Sequence, residues 1–293
     1  MEKKSYKLKG HESFMIRDGW LTKGIIAVSK NERLFRNNAG ADVLGVGTNM
    51  AKSIRYWMKA AKLVSDTPSK GVYLTELGKI IFKYDCYLED EFSLWIIHSN
   101  IATNYELATS WYLFFNNINV TSSFTREELS VMLKDQFIES TGEQDPSERS
   151  IKDDCGVLLQ MYSSGNEKNL DPEDKNISPF ESLGLVQRVS GKYIKKRPQI
   201  DQIDSFAILY LIIDKLNTDG SMQIDYISDG ENMPGKILNL NRIAVNYFLD
   251  DLQRKKYITV NRTAGLDIIY PNQSKEFQKE DLLRLYFERN SQI

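Results

Sequence analysis

The sequence predicts a mainly α-helical fold with winged helix-turn-helix-like units at both ends, a helical middle and short β-hairpins, and three observations predict it. In residues 10 to 83 an apolar helix, a glycine-bearing turn, an amphipathic helix and a β-favouring hairpin follow one another. The same order returns within residues 191 to 293. Between them, residues 84 to 190 hold apolar, aromatic-rich runs of helical length. The expected division is therefore 1–83, 84–190 and 191–293.

The first helix lies in "GWLTKGIIAVSKNERLF", where Trp20, Leu21, Ile25, Val28 and Phe35 recur at near-helical spacing. The turn "NNAGADVLGVGTN" follows, and then residues 48 to 63. On a wheel of about 100° per residue, Lys52, Arg55, Lys59 and Lys62 share one arc, with Met50, Ile54, Trp57, Met58 and Ala61 opposite. No acidic residue stands between Asp42 and Asp66, so nothing inside this helix neutralises its cations. Pro68 to Gly71 then separate it from "VYLT", a hairpin signal that puts Lys70 near a wing tip.

In the middle, "FSLWIIHSNIATN" and "YELATSWYLFFNN" read as two apolar helices joined near Thr103 and Asn104. "SFTREEL" is an N-cap with acidic first-turn residues, opening a helix at about Thr125. An exposed loop, "STGEQDPSERS", precedes a helix near 149 to 162, and "SSGNEKNLDPEDKNISP" reads as a long surface loop. "LGLVQRVSGKYIKK" is a candidate hairpin. In the last third, "QIDSFAILYLIIDKLN" and "LNRIAVNYFLDDLQRKKYI" are helices, and "YITVNRTAGLDIIY" is a hairpin with Arg262 near its tip.

Hydrophobic residues at 41% and charged residues at 27% give a folded soluble composition. No run approaches the roughly 18 apolar residues of a membrane span, which makes the cytoplasm the expected compartment and excludes a membrane partner. The net charge of −2 hides a segregation: residues 1–73 carry +8, residues 74–190 carry −11 and residues 191–293 carry +1. Screening limits the reach of distant charge to about 8 Å, so a basic unit on an acidic chain can still meet a polyanion. Asn49, Lys52, Arg55, Tyr56, Lys59 and Lys62, with Lys70 and Arg262 at the wings, are the residues expected to contact DNA. The alternative for the arc is a solvated helix face.

Catalytic signatures are sparse. "GVGTN" lacks the Gly-Lys-Ser/Thr ending of a P-loop, and a tight turn competes with phosphate binding there. Cys86 and Cys155 stand outside any CxxC pattern and read as buried thiols. Of the two histidines, His98 on its apolar helix reads as a hydrogen-bonded core residue, while His11, near Glu12 and Arg17, is open to a polar network or a phosphate contact. Asp85, Glu89, Asp90 and Glu91 could bind magnesium, or Glu89, Asp90 and Glu91 could complement a helix N-terminus. These five, His11, Arg17, Asp85, Glu89 and Asp90, are the candidates for any catalysis. No cofactor is evident, and a divalent metal is expected only if the chain is a nuclease.

The segments "GHESFMIRDGWLTKG" (10–24), "LGVGTNMAKSIRYW" (44–57), "LTELGKIIF" (74–82), "YLEDEFSLWIIHSNIATN" (87–104) and "WYLFFNN" (111–117) together resemble a bacterial domain-of-unknown-function family, DUF 4007. The resemblance implies a place beside proteins similar to phosphoadenosine-phosphosulfate reductase in phage-defence clusters, including DNA phosphorothioation systems. It implies a DNA-acting role, with a member supplying the DNA nick that precedes sulfur insertion. Three readings follow: a DNA-binding subunit that recruits other subunits of a defence complex, a nicking endonuclease with an unrecognised site, or a protein-interaction module whose winged helices contact only protein.

Overall fold

Apolar residues at helical spacing build α1 (Trp20–Lys30), which buries Trp20, Leu21, Ile25 and Val28. The short α2 (Ala41–Leu44) ends at Gly45, whose φ of 65° turns the chain sharply into α3 (Thr48–Ala60). The antiparallel hairpin β1 (Val64–Thr67) and β2 (Gly71–Leu74) follows, with Val64 opposite Leu74. The computed structural model describes residues 5–36, 38–69, 71–119, 121–143, 145–163, 177–272 and 276–290. Its contacts divide the chain into two units, Met1–Lys196 and Arg197–Ile293.

The first unit continues with α4 (Glu76–Tyr84), α5 (Glu91–Ala102) and α6 (Thr109–Asn116). α5 and α6 are the two apolar helices legible in the sequence. Every residue of α6, and of α5 from Phe92 onward, is buried, the behaviour of helices apolar all round. Trp95, Trp111, Phe114 and Phe115 form the core, each contributing roughly 1.5–3 kcal/mol or more of burial free energy. α7 (Arg126–Thr141) begins with the capping box that "SFTREEL" encodes: Thr125 accepts from the Glu128 N–H, and Glu128 accepts from the Thr125 N–H. α8 (Glu148–Tyr162) and the hairpin β3 (Val186–Val189) with β4 (Lys192–Lys195) complete the unit. Most of the predicted long loop after α8, residues 164–176, lies outside the described residues.

Segments 1–83 and 84–190, separated in the sequence reading, thus share one unit, because α3 is seated on α6 and its approach. The Trp57 and Trp111 rings meet edge to face at 5.0 Å. Tyr56 Oη donates to the Leu107 carbonyl at 2.6 Å, and Asn104 Nδ2 to the Ala60 carbonyl at 3.1 Å. These contacts bury the whole inner face of α3.

Gly78 of α4 sets a further constraint, since a Cβ there would lie 2.1 Å from the Leu63 carbonyl oxygen. Alanine is the better helix former by about 1 kcal/mol, yet the backbone oxygen cannot retreat as a side chain would. Gly78→Ala is therefore expected to destabilise the unit by about 1–3 kcal/mol in urea unfolding. A stabilised variant would mean that α4 slides freely over Leu63.

The second unit comprises α9 (Ser205–Asp219), β5 (Met222–Gln223), α10 (Ile224–Asp229), α11 (Pro234–Ile237), α12 (Arg242–Arg254), β6 (Ile258–Asn261), β7 (Ile268–Pro271) and α13 (Lys279–Asn290). Its sheet has the order β5-β7-β6, with Met222 opposite Ile269 and Val260 opposite the same residue on the other side. The β6–β7 hairpin is where the alternating pattern places it. β5, only two residues long, has no pattern of its own and is recruited by the open edge of β7. Phe206, Ile212, Phe248, Leu249 and Ile269 fill this core. The fold is mainly helical with small antiparallel hairpins, and among the described residues no helix is long and apolar enough to cross a membrane.

Candidate nucleic-acid interface

α3 has two opposed faces. Ala51, Ile54, Trp57, Met58 and Ala60 are fully buried, which fixes the rotation of the helix and turns Asn49, Lys52, Arg55 and Lys59 outward. Asn49 and Lys52 are exposed, Lys52 Nζ resting 3.4 Å from Asn49 Oδ1. Lys62 is also exposed, at a left-handed φ of 58° just beyond the helix. Tyr56, expected beside the basic arc, is instead 7% exposed and spends its hydroxyl on Leu107. It supports the helix from within and does not reach the outer face. Lys70 lies outside the described residues.

The hairpin supplies what the helix lacks. Asp66 of β1 accepts from Arg55 Nη2 at 2.8 Å and from Lys59 Nζ at 2.9 and 3.0 Å. The expectation that the four cations stand unneutralised is corrected here: Arg55 and Lys59 meet a carboxylate from the next strand. Donation from Lys59, helped by Arg55 and opposed by partial burial, holds the Asp66 carboxyl below its ordinary range. A depressed carboxyl contributes stability that is present above its unfolded pKa of about 4 and is lost as pH falls through the folded value. Both ion pairs are therefore intact at neutral pH. Arg55 also lies over Phe35, its Cζ 5.7 Å from the ring centroid.

The candidate catalytic residues are not brought together. His11 is 0% exposed, stacked on Trp57 with ring centroids 5.8 Å apart. Its Nδ1 accepts from the Ser13 N–H at 3.1 Å, and its Nε2 lies 2.8 Å from Asp154 Oδ1. With Nδ1 occupied as an acceptor, the proton belongs on Nε2, pointed at Asp154. Asp154, 1% exposed, further accepts from Ser110 Oγ at 2.6 Å and the Lys9 N–H at 2.9 Å. This buried cluster ties the N-terminal loop to α6 and α8 and cannot touch a phosphate. Arg17 faces elsewhere, over the rings of Phe14 and Trp20.

Asp85 accepts from the N–H groups of Glu89 and Asp90, and burial raises its carboxyl above the ordinary range. Asp90 caps α5 by accepting from the Phe92 N–H at 2.9 Å, while Glu89 is exposed. The segment thus complements a helix start. Among the described residues, no group of three or more His, Cys, Asp or Glu side chains converges to hold a metal ion. His98 is the core histidine its apolar helix predicts, 2.8 Å from the Tyr162 hydroxyl. Burial pushes the Cys155 thiol up to about 12, which makes it inert, whereas Cys86 is only partly buried.

In the second unit the cations of α12 and its hairpin are answered one by one. Arg242 pairs with Asp225 and Asp267, Arg254 with Asp251, and Arg262 Nη1 with Asp250 at 2.6 Å. Arg262 Nη2 also donates to Asn246, bracing the hairpin against α12. On the same helix Ile243 and Tyr247 are 77% and 59% exposed.

Sequence reasoning passed over Asp66 and Arg36, which border the basic face. Asp66 was visible only as the end of the acid-free stretch; that it folds back onto Arg55 and Lys59 is a consequence of the hairpin.

The family model of DUF4007, described as a protein of unknown function, matches residues 8–287. Two solved structures share the fold over nearly their full lengths. One is a magnesium ion-bound SspB crystal structure, 22% identical, with a TM-score of 0.82 over 100% of this chain and 98% of that one. The other is an SspB crystal structure, also 22% identical, with a TM-score of 0.81 over 99% and 96%. No curated protein matches the chain.

Proposed function

The chain belongs to the DUF4007 family, and from that premise we propose that it is a DNA-binding component of a bacterial DNA modification and phage-defence system of the phosphorothioation type. One observation carries this reading: α3 presents a single basic face while its opposite face is wholly buried. The order α1, α2, α3, β1, β2 is that of a winged helix-turn-helix, with α3 in the place of the recognition helix and β1–β2 as the wing. α9, α10, α12 and the β6–β7 hairpin repeat that order in the second unit. Lys52 and Lys62, both exposed, are phosphate contacts, and the half-buried Arg55 and Lys59 join them when a phosphate displaces Asp66.

The test is duplex binding across a salt series. Log affinity should fall linearly with log salt, with a slope of about −0.9 per phosphate neutralised. Asp66→Asn should raise affinity and steepen that slope by about one to two, since it releases two cations. A weakened Asp66→Asn variant would show instead that the carboxylate orients the cations for DNA.

The second unit favours a different partner. Its exposed Ile243 and Tyr247 and its internally paired cations suit contact with another subunit of the complex rather than with phosphates. Duplex binding that is absent or independent of salt would extend this protein-interaction reading to the whole chain.

The related SspB structure is magnesium-bound; among the described residues of this chain no group of three or more His, Cys, Asp or Glu side chains converges. We derive no nicking step through the ion. The proposal is a DNA-binding subunit that positions the machinery of its complex.

A further inference from the structure

The turn at 31–36, the outer face of α3 and the β1–β2 hairpin border an open cavity of about 380 Å³. Its size lies within the roughly 300–1,000 Å³ of small-ligand pockets. The walls are tied together by backbone: the Val72 N–H donates to the Glu32 carbonyl at 2.8 Å, and Gly71, at φ 99°, sits so close that a Cβ would fall 2.4 Å from the same oxygen. The cavity is therefore preformed rather than opened by a ligand.

Its lining is mixed in a specific way. Phe35 and Val72 are buried apolar walls, and Arg55 is held over Phe35 by its bond to Asp66. The Arg55 Nε is buried without a hydrogen-bond partner. Arg36, exposed at the mouth, donates to the Pro68 carbonyl at 3.4 Å, a long bond that a charged acceptor would replace. A guanidinium fixed on an aromatic ring offers a planar surface on which an unpaired base stacks. Asp66, which also lines the cavity, offers a carboxylate that can accept from the amino group of a base. A paired, stacked base cannot enter such a recess.

We propose that this cavity binds one nucleotide, its base against the Arg55 guanidinium beside Phe35 and its phosphate at Arg36. The nucleotide is either an unpaired position in DNA, a source that rests on the DNA-binding reading above, or a free mononucleotide. In the first case the protein would distinguish distorted from regular duplex.

Three probes separate these outcomes: a flush duplex, the same duplex with one bulged 2-aminopurine, and adenosine monophosphate alone followed by calorimetry. The bulged duplex should bind about tenfold tighter than the flush one, the gain of one stacked base, with a change in 2-aminopurine fluorescence. Pro68→Trp, which fills the mouth, should abolish that preference as read from the ratio of bulged to flush affinity, whatever its effect on the wing's own duplex contacts, and Arg36→Gln should reduce the preference. Binding of adenosine monophosphate to the wild type and not to Pro68→Trp, with no bulge preference, would assign the cavity to free mononucleotides. Equal affinity for both duplexes together with no mononucleotide binding overturns the proposal. Flush-duplex binding that survives in that case leaves the α3 reading intact, and its loss removes both.

Discussion

His11→Ala is expected to destabilise the first unit by about 3–5 kcal/mol, the loss of a hydrogen bond to a buried carboxylate added to the cavity left by a buried ring. His11 and Asp154 are both at most 1% exposed, so water cannot replace the lost partner without opening the core. Asp154 Oδ1 would keep the Lys9 N–H, and Oδ2 would keep Ser110 Oγ, but the carboxylate would lose the donor that lies 2.8 Å away. Loss of the imidazole also removes the surface that stacks on Trp57 and meets Trp111 at 5.5 Å, leaving a cavity at the centre of the aromatic cluster. For a unit of this size the melting temperature should drop by roughly 6–20 °C. Urea and thermal unfolding would check it, with Ser110→Ala as a milder comparison. A loss under about 1 kcal/mol would mean that the site relaxes or hydrates, and the cluster would not be the staple described here.

Replacing both Lys52 and Lys62 by glutamine is expected to produce the largest loss of DNA affinity open to a fold-preserving change. Both side chains are exposed, so neither substitution disturbs the core. If each neutralises one phosphate, the double variant loses about 1.8 from the salt slope, which corresponds to roughly tenfold less variation in affinity between 50 and 200 mM salt. The loss should be alike for all duplex sequences, because phosphate contacts carry no base information. Filter binding or fluorescence anisotropy across a salt series would read both quantities. An unchanged slope would return this face to ordinary solvated surface.

The two substitutions probe opposite sides of one helix. Trp57 faces inward to His11, and Lys52 faces outward; a stability change without a slope change in one case, and the reverse in the other, would show that the helix separates support from contact. Asp66 belongs to the outer side, where it restrains Arg55 and Lys59 at neutral pH.

Periodicity and local chemistry made much of the architecture legible. The amphipathic pattern of 48–63 fixes which way α3 turns, the all-apolar runs of α5 and α6 require burial on every side, and the Thr125–Glu128 box starts α7. The hairpins at 64–74, 186–195 and 258–271 follow from β-favouring runs around turn residues. All of these depend on residues within a few positions of one another, and a linear sequence displays them directly.

The site did not yield in the same way. Whether a cation is exposed or answered depends on which carboxylate the chain path delivers to it: Asp66 reaches Arg55 across 11 residues, Asp250 reaches Arg262 across 12, and Asp154 reaches His11 across 143. With 40 acidic residues available, spacing cannot select among them. The sequence by itself determined the longer helices up to α9 and α12, the hairpins and the basic face of α3, but not the short α10 and α11 or the C-terminal α13. Only the tertiary structure decided that Tyr56 supports that face from within, that His11 closes a buried network and that Asp66 holds two of the cations, because burial and ion pairing are set by contacts between segments whose separation no local period encodes.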